Sequence, residues 1–434
     1  MAKVTVIGTG YVGLIQGVCL ADVGHDVVCV DVDADKIARL SAGQATIYEH
    51  GLEPLLSKGL ASGHLRFATP AAGWADLLGE IVFVAVGTPM AENGGADLSY
   101  VRAVAETIAG EATSPLVMVM KSTVPPGTGT AVRNRHLSRA KVRIDYVSNP
   151  EFLREGHAIH DWYHTDRVVI GGDSPTACEQ VAALYSALET EFVTTDIASA
   201  ETIKYASNAF LSTKISFINE IANLCDAVGA DIDSVATGIG LDDRIGPAFL
   251  RAGIGYGGSC FPKDTRALDF ISTINGYQFD LLKAVIDVNN RQRLLPLIQL
   301  GRALPDMWQR KIAILGLAFK PMTDDVRESP ALDIVPLLLE DGAEVTTYDP
   351  IAGALAIDGA VRCETVWQAL EGASAAVLVT EWQEFVDLDW ARVRAIMADP
   401  GIIFDGRNAL DAAAIEAAGL TYMGVGRAGG HRAG

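Results

Sequence analysis

Cys260 lies in the run Gly255-Tyr256-Gly257-Gly258-Ser259-Cys260-Phe261-Pro262-Lys263-Asp264, whose residue types suit covalent chemistry. Glycines let a backbone turn tightly and approach a ligand, and proline suits the first position of a helix. A thiol just ahead of that helix start faces unpaired N–H groups. With the ammonium of Lys263 folded back, they favour thiolate, the nucleophilic form. Asp264 projects from the first turn on the side of Cys260 and could accept a proton. The competing reading is a buried structural cysteine in a glycine loop.

A second constellation is Gly8-Thr9-Gly10-Tyr11-Val12-Gly13, which follows the strand pattern Lys3 to Ile7 and opens a helical pattern from Tyr11 to Val23. A further apolar run, Val27 to Val30, ends at Asp31, 18 positions after Gly13. In the context strand, turn, helix, strand, this spacing predicts a dinucleotide site, with pyrophosphate at the helix N-terminus and Asp31 on the adenosine ribose. A carboxylate repels a 2′-phosphate, so NAD is expected over NADP.

The elements that must position these groups alternate strand and helix. Strands over Glu80 to Val86, Leu116 to Met120 and Ile144 to Val147 deliver Gly87-Thr88-Pro89, Lys121-Ser122-Thr123 and Ser148-Asn149-Pro150-Glu151 to one sheet edge, where open α/β sheets bind ligands. Glu151 and Glu155 stand four apart and share one side if that segment is helical. Strands Val168 to Gly172 and Phe192 to Thr194, with a helix over Thr176 to Leu188 between them, complete the sheet. A helical stretch over Ser199 to Val228 carries Lys204 and Asn208 one turn apart among apolar neighbours, where an ammonium needs a partner or a route to water. Helical patterns over Asp264 to Thr273 and Asp280 to Gln299 follow. A second βα series begins at Lys311 to Leu315 and continues through Glu344 to Tyr348, Ala376 to Thr380 and Ile402 to Phe404, without the three-glycine fingerprint. The expected fold class is α/β, two Rossmann-like domains joined by a central helical domain with a long connecting helix. The expected boundaries are 1–196, 197–300 and 301–434, with a frayed tail over Gly426 to Gly434.

Composition narrows the partners. The 434 residues are 49% hydrophobic and 20% charged, globular values for two or three domains. Lys and Arg total 34 against 54 Asp and Glu, a formal charge of −20, which disfavours nucleic acid and anionic membranes as partners. Six scattered cysteines show neither Cys-x-x-Cys nor zinc-type clustering, so no metal is expected. With no export signal, reduced thiols in the cytoplasm are expected. The apolar run Val4 to Val23 contains the glycine fingerprint and no cleavage site, which argues against a signal peptide or span.

The motifs over Lys121 to Gly127, Asn149 to Gly156, Lys204 to Phe210, Gly255 to Asp264, Phe319 to Pro330 and Asp405 to Asp411 resemble the UDP-glucose 6-dehydrogenase members of the UDP-glucose/GDP-mannose (nucleotide-sugar) dehydrogenase family. The resemblance runs from Gly8 to Asp411. It implies oxidation of a sugar's primary alcohol to a carboxylate with two NAD and one water, in a homodimer, giving a uronate donor for polysaccharide biosynthesis. Carried onto matching positions, Cys260 is the nucleophile and Asp264, through a water, a helping base. Lys204 and Asn208 stabilise oxyanions, and Thr123 and Glu151 position water, with Glu151 a base for thioester hydrolysis. Cofactor contacts are implied for Gly8, Gly10, Tyr11, Val12, Gly13, Asp31, Lys36, Thr88, Ser122, Thr123, Glu155, Lys263 and Arg327. UDP-glucose contacts are implied for Glu151, Phe152, Leu153, Lys204, Asn208, Tyr256, Gly257, Gly258, Phe319, Lys320 and Arg407, while Arg244 reaches the partner subunit's site. Tyr256 stands where phenylalanine is frequent in the family, and Met322 where asparagine is frequent.

The alternatives are a sibling acting on GDP-mannose or a UDP-N-acetylhexosamine, a two-electron dehydrogenase, and a non-catalytic NAD-binding regulator. If the fingerprint is rightly placed, Asp31→Ala weakens NAD more than it weakens the UDP-sugar in separate titrations. Equal losses would show the fingerprint misplaced.

Overall fold

The computed structural model describes residues 1–427, so residues 428–434 of the expected tail lie outside the described residues. Gly426 and Arg427 are not frayed. Gly426 receives a bond from Ile232 N–H and donates its own to Asp226, and Arg427 donates to Asp233. The chain divides into two compact units, 1–207 and 208–434.

The first unit is built on eight strands: β1 (Lys3–Ile7), β2 (Asp26–Val30), β3 (Leu65–Ala68), β4 (Ile81–Val84), β5 (Leu116–Met120), β6 (Ile144–Ser148), β7 (Arg167–Gly172) and β8 (Glu191–Thr195). Their order is β3-β2-β1-β4-β5-β6-β7-β8, parallel throughout except for the antiparallel β6–β7 pair. β1 lies between β2 and β4, with Val6 opposite both Cys29 and Phe83. The order reverses there, and the fingerprint loop leaves the carboxyl end of β1 at this switch point. Val4, Val6, Phe83 and Val119 belong to one buried cluster, and Val82, Val84 and Met118 to a second. Alternate residues of the central strands thus feed both faces, as a parallel sheet covered on both sides requires.

The second unit carries β9 (Lys311–Leu315), β10 (Glu344–Tyr348), β11 (Val361–Arg362), β12 (Ala375–Leu378), β13 (Ile402–Asp405) and β14 (Thr421–Gly424) in the order β11-β10-β9-β12-β13-β14, all parallel. The two sheets share their first six positions, so the second βα series does repeat the first. The sequence reading missed β3, β11 and β14. All three are outer strands of four, two and four residues, too short to show a period of their own.

Helix Ile197–Val228, 32 residues long, begins in the first unit and continues into the second. Ile218, Ala222, Leu250, Ile254 and Leu300 join the same buried cluster as Ile312, Ile314 and Phe404, so the helices after residue 208 share one core with the second sheet. The helix expected over Asp280 to Gln299 is two, Asp280–Arg293 and Leu295–Ala303. Pro296 lacks the N–H that a continuous helix needs, so the second helix starts afresh around it.

Candidate active site

In the first unit the three fingerprint glycines have different tasks. Gly8 turns the chain at φ +97°, and a Cβ there would lie 2.6 Å from Ala85 O. A Cβ on Gly13 would lie 1.9 Å from Gly8 O, so the helix can seat against the turn only without one. At Gly10 a Cβ would meet nothing within 4 Å. Its small size keeps open the space before helix Tyr11–Asp22, which has no side-chain cap and no acidic residue in its first turn. Free N–H groups facing open space are what a pyrophosphate requires. Asp31, at the end of β2, accepts from Thr9 N–H at 2.8 Å and Thr9 Oγ1 at 2.7 Å, with Lys36 Nζ at 3.5 Å. Burial pushes its carboxyl up, but bonds from Thr9 and Asp33 and the charge of Lys36 outweigh it and hold Asp31 below the usual range. These features fit NAD.

Loops after β4 and β5 are tied together: Ser122 Oγ donates to Val86 O at 2.7 Å and Thr88 Oγ1 to Thr123 O at 3.0 Å. The segment Asn149 to Gly156 is not helical, contrary to the reading that would put Glu151 and Glu155 on one helical side. Glu151 accepts from Leu153 N–H at 2.5 Å, a side-chain bond that competes with a helix, and Gly156 N–H donates to Tyr11 OH and Glu49, each at 2.7 Å. Glu151 instead meets Lys204 at 3.2 Å, both side chains 5% exposed. This is the partner that the Lys204 ammonium needs. The Phe152 ring lies under Arg167 at 4.1 Å and Lys204 at 5.2 Å.

Two residues given no role by the sequence reading join this half. Lys121 is buried, donating to Asn149 Oδ1 at 3.1 Å and Tyr185 OH at 3.3 Å. Burial pushes it down to about 7, with Lys204 adding to the effect and Glu151 opposing it. Glu201, 2% exposed, accepts from Gly127 N–H at 2.6 Å and Gly129 N–H at 2.7 Å, so it caps helix Thr128–Arg135 from a distant helix. Burial pushes it up to about 7 against those two bonds.

In the second unit Cys260 is the N-cap of helix Phe261–Ile274, and Pro262 takes the second helical position behind Phe261 rather than the first. Cys260 is half-buried and its Sγ lies 3.6 Å from Ser259 Oγ; the other five cysteines are buried, and none of the six forms a disulfide. Burial alone pushes Cys29 up to about 12, an inert thiol. Asp264 is 2% exposed, and its oxygens take Lys263 Nζ at 2.5 Å and Asn208 Nδ2 at 2.6 Å. The Lys263 ammonium is thus paired with Asp264, the carboxylate next to it in the chain. The backbone of Asp264 confirms the helical register, its N–H reaching Cys260 O at 2.9 Å.

The loop before Cys260 is buried and irregular, and side chains satisfy its backbone. Gly253 N–H donates to Asn219 Oδ1 at 2.9 Å, and Gln292 Nε2 donates to Gly253 O at 2.9 Å. Asn289 pairs with both backbone groups of Tyr256, accepting at 2.8 Å and donating at 3.1 Å. Arg407, expected at the sugar nucleotide, donates to Val379 O, Gly255 O and Phe319 O at 2.6, 3.0 and 3.1 Å. Burial pushes its pKa down, with Glu381 opposing. A cleft here is lined by Phe249, Arg251, Tyr256, Gly257, Phe319, Lys320 and Arg407. Gly258 has no room for a side chain, since a Cβ would lie 2.7 Å from the Phe319 ring. Lys320 Nζ stands 5.4 Å from that ring's centre.

Arg327 forks onto Asp325, and Arg244 is 89% exposed on Asp242. Met322 lies at φ +64°, a left-handed position that asparagine tolerates better than a long apolar side chain. The roles of Asn289, Gln292 and Arg293 were missed. Their signal was a polar i, i+3, i+4 pattern on the helix that also buries Val285 and Val288.

With this geometry in hand, comparison with known proteins gives the class. Residues 2–189, 198–291 and 313–412 match the NAD binding, central and UDP binding domains of the UDP-glucose/GDP-mannose dehydrogenase family. The chain belongs to that family and is an NAD-dependent oxidoreductase of the nucleotide-sugar dehydrogenase type. Its relatives include the UDP-glucose 6-dehydrogenase TuaD of Bacillus subtilis, 46% identical over 98% of this chain and 94% of that one. The UDP-glucose 6-dehydrogenase of Rhizobium meliloti is also 46% identical, over 98% and 99%. Among solved structures, a UDP-glucose dehydrogenase from Pyrobaculum islandicum superposes with a TM-score of 0.91 at 38% identity, covering 98% of both chains. A UDP-D-ManNAc dehydrogenase from Pyrococcus horikoshii reaches 0.87 at 28% identity, over 98% and 99%.

Glu201 yields a pH prediction. Its folded pKa, about 7, lies above its ordinary 4.5, so the folded state binds more proton between these values. Stability from this group is therefore fullest below pH ~4.5 and is lost as pH rises through about 7. Between pH 5.5 and 8 the wild type should lose about 2 kcal/mol relative to Glu201→Gln, read from urea unfolding midpoints. Parallel pH curves would contradict it.

Proposed function

We propose that this chain oxidises UDP-glucose to UDP-glucuronate, removing two hydrides and adding the oxygen of one water. The observation that carries the reading is the Cys260 thiol. It is half-buried at a helix N-terminus, on a loop fixed by side-chain amides and guanidinium groups, while the other cysteines are buried. Identities of 44–46% to UDP-glucose 6-dehydrogenases, against 28% to the UDP-D-ManNAc enzyme, favour glucose as the sugar.

An alcohol loses one hydride from carbon and one proton from oxygen to become an aldehyde, whose carbonyl carbon is a poor donor of a second hydride. Addition of the Cys260 thiolate makes a C–S bond and moves the carbonyl electron pair onto oxygen, giving a thiohemiacetal that still bears hydrogen on carbon. Loss of that hydrogen as hydride leaves a thioester. Water attacks it, the C–S bond breaks, and the carboxylate leaves with the thiolate restored. NAD, when bound, supplies the hydride acceptor for each oxidation. Lys204 stabilises the oxyanions with Asn208. Asp264, with both oxygens already engaged, acts on the thiol's proton through a water. Thr123 and Glu151 orient the hydrolytic water, and Glu151 takes its proton.

Gly8, Gly10, Tyr11, Val12 and Gly13 cradle the cofactor, with Asp31 and Lys36 at its ribose and Thr88, Ser122, Glu155, Lys263 and Arg327 as further contacts. Phe152, Leu153, Tyr256, Gly257, Gly258, Phe319, Lys320 and Arg407 bound the sugar nucleotide. The division of labour follows 1–196 for NAD, 197–300 for the helical connector and 301–434 for UDP. A homodimer is supported by Phe210, Phe217 and Leu224, exposed at seven-residue spacing on the long helix, with Arg244 reaching the partner's ligand. A cytoplasmic site suits six thiols without a disulfide, and the product is a donor for polysaccharide biosynthesis. No helix among the described residues is long and apolar enough to cross a membrane.

The test is stoichiometry. Wild type should form two NADH per UDP-glucose consumed, and Cys260→Ala should make no uronate while still binding NAD. One NADH per sugar, or uronate at the wild-type rate from the variant, would refute the thioester route.

A further inference from the structure

Two guanidinium groups, Arg293 buried and Arg407 partly so, hold consecutive carbonyls of the cysteine loop, and each also holds one end of the segment from Phe319 to Glu328. Arg407 joins Gly255 O to Phe319 O. Arg293, at the end of helix Asp280–Arg293, donates from Nη2 to Tyr256 O and Glu328 O, both at 3.0 Å. Its Nη1 donates to Glu328 Oε2 at 3.1 Å and Asp333 Oδ2 at 3.0 Å. Between these clamps Gly258 N–H reaches Arg327 O at 2.9 Å, and a Cβ on Gly257 would lie 2.1 Å from Glu328 O. Glu328 itself is held at φ +55°, a left-handed conformation that costs a non-glycine residue about 1 kcal/mol and persists only where its surroundings enforce it.

The two arginines differ in what else they face. Arg407 lines the cleft with Phe319 and Lys320, so replacing it removes both a clamp and a candidate ligand contact. Arg293 does not line that cleft and borders a separate open groove with Arg266, Glu328 and Asp333.

We propose that Arg293 is a positioning residue: by holding the Tyr256 and Glu328 carbonyls together, it sets where the Cys260 thiol stands relative to the Phe319–Lys320 segment. This rests on the proposed reaction, in which that segment seats the nucleotide sugar. Arg293 lies outside the lining of the cleft that Arg407 borders. Its loss therefore removes no proposed ligand contact and misplaces the nucleophile, and a misplacement of about 1 Å costs up to a hundredfold in rate. Lysine cannot substitute, because one ammonium with three donors cannot serve four acceptors spread around a planar fork.

The test compares wild type, Arg293→Lys and Arg293→Ala on whichever nucleotide sugar the wild type oxidises fastest. Both variants should lose about tenfold or more in kcat while KM for the sugar and for NAD changes less than about threefold. Methylguanidinium, entering by the open groove, should restore part of the kcat of Arg293→Ala and leave Arg293→Lys unchanged. Wild-type kcat in Arg293→Lys, or a loss confined to KM, would overturn the assignment. Should Arg293→Ala fail to fold, the kcat and KM of Arg293→Lys decide alone. A wild-type yield of one NADH per sugar would refute the reaction without touching this comparison, which is a ratio of rates on one substrate.

Discussion

Backbone polar groups buried without a strand or helix to pair them are the constraint around which the second unit is built. Residues 253–258 form no regular element, yet most are buried, so their N–H and C=O groups must find partners or cost ~1–3 kcal/mol each. Asn219, Asn289 and Gln292 supply amides, and Arg293 and Arg407 supply guanidinium forks. Glycine is needed at 257 and 258 because Glu328 O and the Phe319 ring come too close for a side chain. The result is a stiff support for a thiol, where a flexible loop would spend binding energy on ordering it.

The first unit solves an electrostatic problem of a different kind. In a chain of net charge −20, anionic ligands must be met by local features, and here these are a bare helix N-terminus behind Gly10 and a small set of buried amines. Glu151 balances Lys204 at 3.2 Å, while Lys121 donates to the neutral groups of Asn149 and Tyr185, and burial pulls its pKa to about 7. With Lys121 able to release its proton near neutral pH, two buried amines and one carboxylate need not carry net charge. That is a useful property beside a reaction that releases protons.

Much of this was legible in the sequence because it rests on local rules. The strands of both sheets' centres appeared as apolar runs, the fingerprint glycines by spacing, and the thiol at a helix start by its glycine and proline neighbours. What escaped depends on distant pairing. The outer strands β3, β11 and β14 are fixed by their neighbours rather than by their own residues. The Glu151 segment looks helix-compatible in sequence, but Pro150, the bond to Leu153 N–H and the anchor of Gly156 on Tyr11 keep it out of a helix. Lys263 is legible as a cation beside the thiol, but its pairing with the adjacent Asp264 shows only in the structure. Asn289, Gln292 and Arg293 look in sequence like an ordinary solvated helix face, and only the loop packed against them shows otherwise.

The central claim is that sulfur carries the sugar through its second oxidation. Its most direct test is mass spectrometry of the Glu151→Gln enzyme, quenched in acid after mixing with UDP-glucose and NAD. The account predicts an acyl adduct of the nucleotide sugar on the peptide containing Cys260, accumulating because hydrolysis has lost its base. An unmodified Cys260 peptide from enzyme that has already released two NADH per site would contradict it.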